Sequence, residues 1–476
     1  MPDQNANILR TNGNSPMHIP EDLARFILRD TYSLLIKGYA GTGKTTLALT
    51  ILKALGTKNN FFYISTRISP KQLFQYYPWL TDFVEQFKPK SANVVVSDRK
   101  VMPSFEDARL DEPESLFERI TNQLMDTKSP TIVIDSWDAI ASFMDREARL
   151  NNERVLQTWR ERAGAKLIFI SEHAADTTLD FLMDGIVELK QSYYDNVRLR
   201  EIFLLKLRGV RINRPSYIYT LESSIFHSFV PYQPIRFEPP KRIKAELFEI
   251  ITGDYVRSGF PVLDTALGNG FPRKGLVLLE LDSMINMTIP MAFLERIVSI
   301  FLSTGNLVLF QSFDRIDLSQ IIEFFEPSLP AGKKSLFKIL LTGNASKTPE
   351  GVIPLGKRRS SDPLLAAILK MRQKYPKKLL LNVMWTDVMQ RVYGVERFRR
   401  DARNIVSNLR TTTDLSIVVI RYSQKDILEN LSEVSDIHLR FVMLSDTLFL
   451  QSLVPPSPLC SLTFDDRSAI GLCPVV

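Results

Sequence analysis

The sequence predicts an α/β fold made of two successive units, each with a mostly parallel sheet that helices cover on both faces. Three observations predict it. Short apolar segments alternate with helical segments in both halves of the chain. A glycine-rich loop joins the first strand to the next helix. A segment rich in proline and basic residues, at 230–250, separates the two halves and indicates a linker.

The first half is expected to begin with strand, loop and helix and to continue with further strands and helices. After a short helix that begins at Pro20, apolar runs of strand length lie at 32–36, 61–65, 94–97, 131–134 and 167–171. Segments with helical spacing lie at 46–55, 71–77, 114–125 and 146–163. The polar segment at 98–114 contains two prolines and is expected to be a loop.

From Gly185 onward the pattern changes to closely spaced strands, which predict an antiparallel extension on one edge of the sheet. These strands are expected at 186–190, 200–207 and 217–221. The second half repeats the alternation, with buried strands expected at 276–279, 306–310, 378–384 and 416–420. The predicted organisation is a flexible tail at 1–17, a first domain at 18–229, the linker at 230–250 and a second domain at 251–476.

The segment that starts at Gly38 and ends at Thr45 reads GYAGTGKT and fits the G-x-x-x-x-G-K-[ST] phosphate-binding loop. Its glycines allow backbone conformations that turn successive N–H groups inward, and the helix that follows presents its positive end. We therefore expect ATP and Mg²⁺ here, with Lys44 on the β- and γ-phosphates and the Thr45 hydroxyl on the metal. The expected nucleotide contacts are Gly38, Ala40, Gly41, Thr42, Gly43, Lys44, Thr45 and Thr46.

Asp135 ends an apolar strand downstream of this loop and is the natural carboxylate for Mg²⁺, although a merely polar strand end is the alternative. Ser171 and Glu172 close the next strand, at the edge where such sheets collect their ligands. Either side chain is a candidate sensor of the γ-phosphate, and strand capping is an equally good interpretation. We predict Lys44, Asp135 and Glu172 as the catalytic residues.

Composition describes an ordinary globular chain and narrows the classes of function. Sixty Lys and Arg against 53 Asp and Glu give a net charge of +7, which permits nucleic-acid contact without requiring it. Two cysteines, Cys460 and Cys473, cannot form a disulfide framework, and four histidines without metal-ligand spacing argue against a zinc site. The chain has no apolar leader and no apolar run of membrane-spanning length, so we expect a cytoplasmic protein without a membrane span.

The motifs taken together resemble the KaiC branch of the RecA-like ATPases. The residues that carry the resemblance are the loop at 38–45, the strand TIVIDSWDAI with Asp135, DGIVEL from Asp184 and KLRG from Lys206. The segment SGFPVLDTALGNGFPRKGLVLLE, at 258–280, is similar to the opening of a second KaiC-type domain. The resemblance therefore implies two tandem RecA-like domains. From His18 to Pro70 the first half is similar to archaeal gas-vesicle regulators of the GvpD kind.

This resemblance implies roles that the residues alone leave open. In KaiC-like rings the pair matching Lys206 and Arg208 reaches the phosphates of the neighbouring subunit, which implies a homo-oligomer or ring. The alternative is an exposed edge strand with solvated cations. Efficient ATPases of the branch carry two glutamates after the second strand, where this chain has Arg67 and Ile68. We therefore expect slow hydrolysis, with Asp138 or Glu172 as substitute base.

The second half matches a phosphate-binding loop in position but lacks its chemistry. Leu281, Met284 and Asn286 stand at the glycine places and Met287 at that of the lysine, while Asn382 or Val383 is expected at the place of the metal carboxylate. The sequence therefore predicts a pseudo-ATPase domain that serves assembly or partner binding.

Two other functions compete with an ATP-gated regulator that acts on a protein partner. The first is a DNA-associated RecA or RadA-paralogue ATPase. The chain has no glycine-rich loop after Asp135, where such proteins contact single strands, and this argues against DNA binding. The arginines between 397 and 403 keep the DNA-associated alternative open. The second is a small-molecule kinase, for which no acceptor site is evident.

Overall fold

The structure is a computed structural model, and the residues that it describes fall into two compact units. These units are Met1–Val230 with Val475–Val476, and Pro231–Pro474. The described residues are 19–56, 60–87, 104–109, 111–124, 129–145, 147, 161, 164–172, 178–232, 251–311, 318–326, 334–342, 351–355, 362–464 and 470–476. The predicted tail at 1–17, the strand at 94–97, nearly all of the helix at 146–163 and the linker from 233 onward lie outside them.

The first unit is a nine-stranded sheet with helices on both faces. Its strands are β1 Tyr32–Gly38, β2 Phe61–Ser65, β3 Ser104–Asp107, β4 Thr131–Asp135, β5 Lys166–Ser171, β6 Gly185–Tyr194, β7 Val197–Leu207, β8 Ser216–Thr220 and β9 His227–Ser228. Its helices are α1 Glu21–Ile27, α2 Lys44–Leu55, α3 Pro70–Tyr76, α4 Trp79–Glu85, α5 Pro113–Leu124, α6 Trp137–Ala141 and α7 Thr178–Leu182. A single 3₁₀ turn, Glu222–Ser224, follows β8 among the described residues.

The strand order of this sheet is β3-β2-β4-β5-β1-β6-β7-β8-β9. The pairs from β3 to β6 are parallel, and those from β6 to β9 are antiparallel. The predicted parallel sheet with an antiparallel extension on one edge is therefore confirmed. β1 lies between β5 and β6, so the loop that follows it opens at the carboxyl edge where the chain reverses its order along the sheet.

Alternate residues of the central strands pack on opposite faces of the sheet. Leu34 and Ile36 of β1 belong to a core with Leu23 of α1 and Leu47 of α2. Leu35, which lies between them in β1, belongs to a second core on the other face. That second core includes Leu116, Trp137 and Leu179 from α5, α6 and α7. Because both faces are covered, β1 is buried at every position and its register is fixed by packing.

The second unit repeats this plan with a ten-stranded sheet. Its strands are β10 Ile251–Thr252, β11 Tyr255–Val256, β12 Phe271–Pro272, β13 Gly275–Leu281, β14 Leu307–Gln311, β15 Phe337–Thr342, β16 Val352–Leu355, β17 Leu380–Trp385, β18 Leu415–Arg421, β19 Ile437–Leu444, β20 Thr447–Val454, β21 Cys460–Phe464 and β22 Ile470–Pro474. Its helices are α8 Pro261–Ala266, α9 Thr288–Ser303, α10 Leu318–Phe325, α11 Pro363–Lys374, α12 Thr386–Tyr393, α13 Val395–Ser407, α14 Leu409–Thr412 and α15 Lys425–Ser432, with a 3₁₀ turn at Lys334–Leu336.

The order of the large sheet is β16-β15-β14-β17-β18-β13-β19-β20-β21-β22, and β10, β11 and β12 form a separate small sheet. β13 lies between β18 and β19 as β1 lies between β5 and β6, and both central strands have seven residues. The pairs from β16 to β19 are parallel and those from β19 to β22 antiparallel. Two tandem RecA-like domains, as the sequence predicts, are therefore confirmed as the fold.

One expectation about the elements is wrong, and one is incomplete. The loop predicted at 98–114 contains β3, whose four residues pair in parallel with β2. The sequence gives no sign of this strand because Ser104, Glu106 and Asp107 are polar, and an edge strand needs little apolar surface. The predicted strands of the second half omit β15, β16 and the antiparallel group from β19 to β22.

The loop between β1 and α2 depends on backbone conformations that glycine adopts easily. Gly38, Gly41 and Gly43 have φ angles of 151°, 79° and 90°. A Cβ atom on Gly38 would stand 2.3 Å from the carbonyl oxygen of Leu189 in β6, whereas a Cβ atom on Gly41 would meet nothing within 4 Å. A side chain at Gly38 or Gly41 would therefore have to adopt a strained φ angle. At Gly38 it would also clash with the main chain of β6.

Alanine substitution is expected to separate these two effects. Gly41→Ala costs about 1–2 kcal/mol of unfolding free energy, the penalty of a left-handed L-residue, and Gly38→Ala costs more because β6 must also move. Urea denaturation of both variants and the wild type measures the difference. Equal losses for the two variants would contradict the steric role of β6.

Candidate functional site

Lys44 begins α2, and its ammonium group lies within the glycine-rich loop. The Nζ atom donates hydrogen bonds to the carbonyl oxygens of Gly38 at 2.8 Å and Tyr39 at 2.9 Å. Burial lowers the pKa of Lys44, while the negative charges of Glu172, Asp135 and Asp138 raise it. Among the described residues, Lys44 is the buried cation of the loop, and three carboxylates influence its charge. A buried cation with a perturbed pKa is typical of a site that binds a charged ligand.

Neighbouring side chains fix the shape of this loop. The Thr42 hydroxyl donates to the Tyr39 carbonyl at 2.8 Å, and the Tyr219 hydroxyl of β8 donates to the Thr42 carbonyl. The Thr46 hydroxyl lies 3.0 Å from that of Tyr77. Ala40 and Gly41 are exposed at the tip of the loop. The predicted contact residues therefore lie in one continuous turn, with Thr42 and Thr46 facing the protein.

Thr45 and Asp135 meet across the carboxyl edge of the sheet. The Thr45 hydroxyl donates to Asp135 Oδ2 at 2.7 Å, and the Tyr63 hydroxyl of β2 donates to the same oxygen at 2.5 Å. Burial raises the pKa of Asp135, against the hydrogen bonds from Tyr63 and Thr45 and the charge of Lys44, which lower it. The structure therefore brings together the two predicted metal ligands, and adds Tyr63, which the sequence analysis missed.

The main chain around Asp135 is held by Thr66. The Thr66 amide donates to the Asp135 carbonyl at 2.8 Å, and the Thr66 hydroxyl accepts from the Ser136 amide at 2.8 Å. These bonds tie the end of β2 to the end of β4. The position of Asp135 is therefore set by main-chain contacts as well as by its carboxylate.

The oxygen atoms at this site fit Mg²⁺ with a triphosphate. Mg²⁺ prefers hard oxygen ligands and is usually held by one or two carboxylates together with phosphate oxygens. The adjacent Thr45 hydroxyl and Asp135 carboxylate supply such atoms, with Lys44 beside them. When bound, the metal would neutralise charge on the β- and γ-phosphates.

Glu172 is held by two groups at the end of β5. Its carboxylate forms a 2.6 Å ion pair with Arg67, and its amide donates to Asp138 Oδ2 at 2.5 Å. The Ser171 hydroxyl donates to the other oxygen of Asp138 at 3.2 Å. Arg67 occupies one of the two positions at which efficient ATPases of the branch have glutamate. In this structure it contacts Glu172, one of the two residues predicted as a substitute base.

Lys206 and Arg208 have partners within their own unit. Lys206 Nζ donates to the Asp180 carbonyl at 3.1 Å, and Arg208 forms a 3.4 Å ion pair with Asp184. Arg208 follows the end of β7 at Leu207, and its side chain is 56% exposed. Burial and the charge of Arg208 lower the pKa of Lys206. The two cations thus lie together at the strand end, away from the loop contacts described above.

The corresponding loop in the second unit is closed by its own side chains. Asp282 Oδ1 accepts from the Met284 amide at 3.4 Å, and Asn286 Oδ1 accepts from the Thr288 amide at 3.4 Å. None of the residues 281–288 has a positive φ angle. Met287, at the lysine place, packs against the core of the unit. An acidic residue and an apolar residue therefore replace the anion-binding groups.

Strand register places Trp385, and not Asn382 or Val383, at the position of Asp135. Asp135 pairs with Ile170, which pairs with Ile36, two residues before the end of β1. In the second unit Trp385 pairs with Val419, which pairs with Leu279, two residues before the end of β13. The expectation of Asn382 or Val383 is therefore wrong by two or three residues, because Asp135 is the last residue of β4, whereas Asn382 and Val383 lie inside β17.

Two further positions change together with Trp385. By the same register Phe310 stands where the first unit has Tyr63. Thr288, which matches Thr45, has a buried hydroxyl oxygen without a hydrogen-bond partner among the described residues. An indole thus replaces the carboxylate, a phenyl ring without a hydroxyl replaces its tyrosine donor, and the threonine is retained.

Replacing Asp135 with asparagine is expected to separate stability from ligand binding. Because the folded-state pKa is raised, unfolding free energy falls as pH rises from the unfolded pKa through the folded one, and the neutral amide escapes this loss. Above that window Asp135→Asn should unfold at a higher temperature than the wild type. MgATP at about 100 times its dissociation constant adds about 2.7 kcal/mol to the unfolding free energy of a protein that binds it. Asp135→Asn should lose most of this stabilisation.

Thermal unfolding with and without MgATP measures both effects, with Asp82→Asn as a control that removes an exposed carboxylate of α4. If MgATP stabilised the Asp135→Asn variant as much as the wild type, this carboxylate would not hold the metal.

Comparison with known proteins agrees with this geometry. Residues 23–207 match the family described as GvpD gas vesicle protein, P-loop domain. The chain is 27% identical over 284 residues to Protein GvpD2 of Halobacterium salinarum, a match that covers 56% of this chain and 55% of that protein. It is 23% identical over 300 residues to the circadian clock oscillator protein KaiC of Thermostichus vulcanus, covering 60% and 53%.

The chain thus spans about half the length of the curated relatives it matches. The family match and the site geometry fall on the same unit, since β1, α2 and β4 all lie within residues 23–207. The family match and these similarities support a RecA-like P-loop ATPase of the KaiC branch that is similar to GvpD.

Proposed function

We propose that this chain is an ATP-binding regulatory protein of the KaiC and RecA-like class. Its first unit binds ATP with Mg²⁺ and hydrolyses it slowly, and its second unit serves assembly or partner binding without a nucleotide. The observation that carries the proposal is the contrast between two equivalent sites. Thr45 and Asp135 form an oxygen pair beside Lys44 in one unit, whereas Trp385 and Met287 stand at the matching places in the other.

Slow hydrolysis follows from the groups around the site. Lys44 and Mg²⁺ can neutralise the charge that develops on the phosphates, which is the main requirement of phosphoryl transfer. The carboxylates near the site are already engaged: Asp135 with Thr45 and Tyr63, and Glu172 with Arg67. Turnover is therefore expected well below the median enzyme rate of about 10 per second. A bound nucleotide then acts as a ligand that changes the state of the protein.

Lys206 and Arg208 are the proposed contacts to a neighbouring subunit in a homo-oligomer. Arg208 is more than half exposed, and its ion pair with Asp184 is long at 3.4 Å, so its guanidinium group can donate to a further ligand. An exposed ion pair of this kind is weak, about 0–1 kcal/mol, and a phosphate of a neighbouring site can displace it.

The arginine-rich helix α13 supports a protein surface better than a DNA-binding surface. Arg397 and Arg400 contact Asp401, at 3.8 Å and 3.0 Å. Arg399 pairs with Asp426, and Arg403 with Glu433 at 3.0 Å. Each of the four arginines therefore has a carboxylate partner, which lowers the positive potential that DNA binding requires.

Among the described residues, no helix is both long and apolar enough to cross a bilayer.

Capture of partners from native extract tests the regulatory role. The wild-type protein is expected to recover a different set of proteins with MgATP than without it, because ATP shifts its conformation or assembly. Lys44→Ala should recover the nucleotide-free set under both conditions, since it loses the phosphate contact. Lys71→Ala, which removes an exposed positive charge of α3, is the matched control and should behave as the wild type. Identical sets for wild type and Lys44→Ala would contradict gating by ATP.

A further inference from the structure

Arg67 and Glu172 join two strand ends beside the phosphate-binding loop. Arg67 follows β2, and Glu172 follows β5, on opposite sides of β4 in the sheet order. Their 2.6 Å ion pair therefore bridges over the end of β4, which carries Asp135. The arginine side chain is 50% exposed and the glutamate 31%, so the pair lies at the surface of the site and not in the core.

Both partners are fixed at their main chain. Thr66, next to Arg67, makes hydrogen bonds to the main chain of Asp135 and Ser136. The Glu172 amide donates to Asp138 on α6. The freedom that remains to the pair is therefore in the two side chains. Opening the pair needs no movement of β2, β4 or β5.

Glu172 is the carboxylate best suited to accept a proton at this edge. Asp135 is buried and already accepts from Thr45 and Tyr63. Asp138 accepts from Ser171 and from the Glu172 amide. Glu172 is partly exposed, and its carboxylate is paired with Arg67. Of the three carboxylates that raise the pKa of Lys44, Glu172 has the largest effect. It is thus near the phosphate lysine and open to water.

We propose that the Arg67–Glu172 ion pair is a brake on ATP hydrolysis, which keeps Glu172 from acting as the general base and so prolongs the ATP-bound state. The inference rests on the proposed function, and it identifies the residues that make turnover slow. Because an exposed ion pair is weak and screened by salt, the brake is partial. Hydrolysis proceeds through the fraction of molecules in which the pair is open.

The step that the brake controls is simple. With the pair open, Glu172 accepts a proton from a water molecule whose oxygen bonds to the γ-phosphorus. The bond from that phosphorus to the β,γ-bridging oxygen breaks, and its electrons stay on ADP. Inorganic phosphate leaves with the water oxygen. Lys44 remains on the phosphates and stabilises the charge that develops there.

Substitution of Arg67 is the direct test. Arg67→Ala is expected to raise the maximal rate of ATP hydrolysis about tenfold or more, since a released general base contributes factors of about 10² to 10⁴. Glu172→Gln alone should lower the slow rate further, because the open fraction then has no base, and the double variant should lose the gain. Arg67→Lys, which keeps the charge, should gain less than Arg67→Ala. Arg109→Ala breaks the exposed 2.7 Å pair with Asp107 and should leave the rate unchanged.

Binding and salt response supply readouts that a merely structural role would not move. Affinity for a non-hydrolysable ATP analogue, measured by calorimetry, should stay within about threefold of the wild type in Arg67→Ala, because Lys44 and the loop are intact. Raising salt from about 0.1 M to about 1 M shortens the screening length from about 10 Å to about 3 Å. At saturating ATP this should speed hydrolysis by the wild type and not by Arg67→Ala.

A slower Arg67→Ala would overturn the inference, because Arg67 would then be a phosphate ligand that assists the reaction. An unchanged rate, or a gain that survives in the double variant, would overturn it as well. Failure of the wild type to bind the analogue would remove the proposed function and this inference together, whereas normal binding with an unchanged Arg67→Ala rate removes only the inference.

Discussion

The hydrogen bond between Thr45 and Asp135 is the contact on which the first site depends. It joins the start of α2 to the end of β4, through two residues that lie 90 positions apart in the sequence. Burial makes the charged form of Asp135 costly, and Tyr63, Thr45 and Lys44 offset part of that cost. The electrostatic interaction between the buried Asp135 carboxylate and the buried Lys44 ammonium is weak evidence for stability, but the two charges complement those of a metal–triphosphate complex. We infer that the unit keeps this less stable arrangement because it serves the proposed binding of a ligand.

The second unit has the same framework with other side chains at the equivalent site. Its central strand, its strand order and the direction of its edge strands repeat those of the first unit. Even a buried charge is kept at the same position with its sign reversed: Lys37 is in register with Glu188, and Glu280 with Arg440. Glu280 is paired with His438 at 2.8 Å and Arg440 at 3.2 Å. The fold therefore tolerates replacement of the loop glycines, the lysine and the carboxylate, provided that buried charges remain paired.

Most of the sheet and the first site could be predicted because their signals are local. The loop at 38–45 is a contiguous motif, and the buried strands are apolar runs whose length is set by the sheet. What could not be predicted depends on contacts between distant segments. Tyr63 points its hydroxyl at Asp135 from another strand, and Arg67 reaches Glu172 across the end of β4. The place of Trp385 follows only from pairing across three strands, and β3 is too polar to be recognised.

Calorimetry of the full chain with MgATP measures whether one of the two equivalent units binds a nucleotide. One equivalent of ATP per chain is expected, and none for Lys44→Ala. Met287→Ala, which alters the matching position in the second unit, should leave one equivalent. Two equivalents per chain, or none for the wild type, would contradict the account.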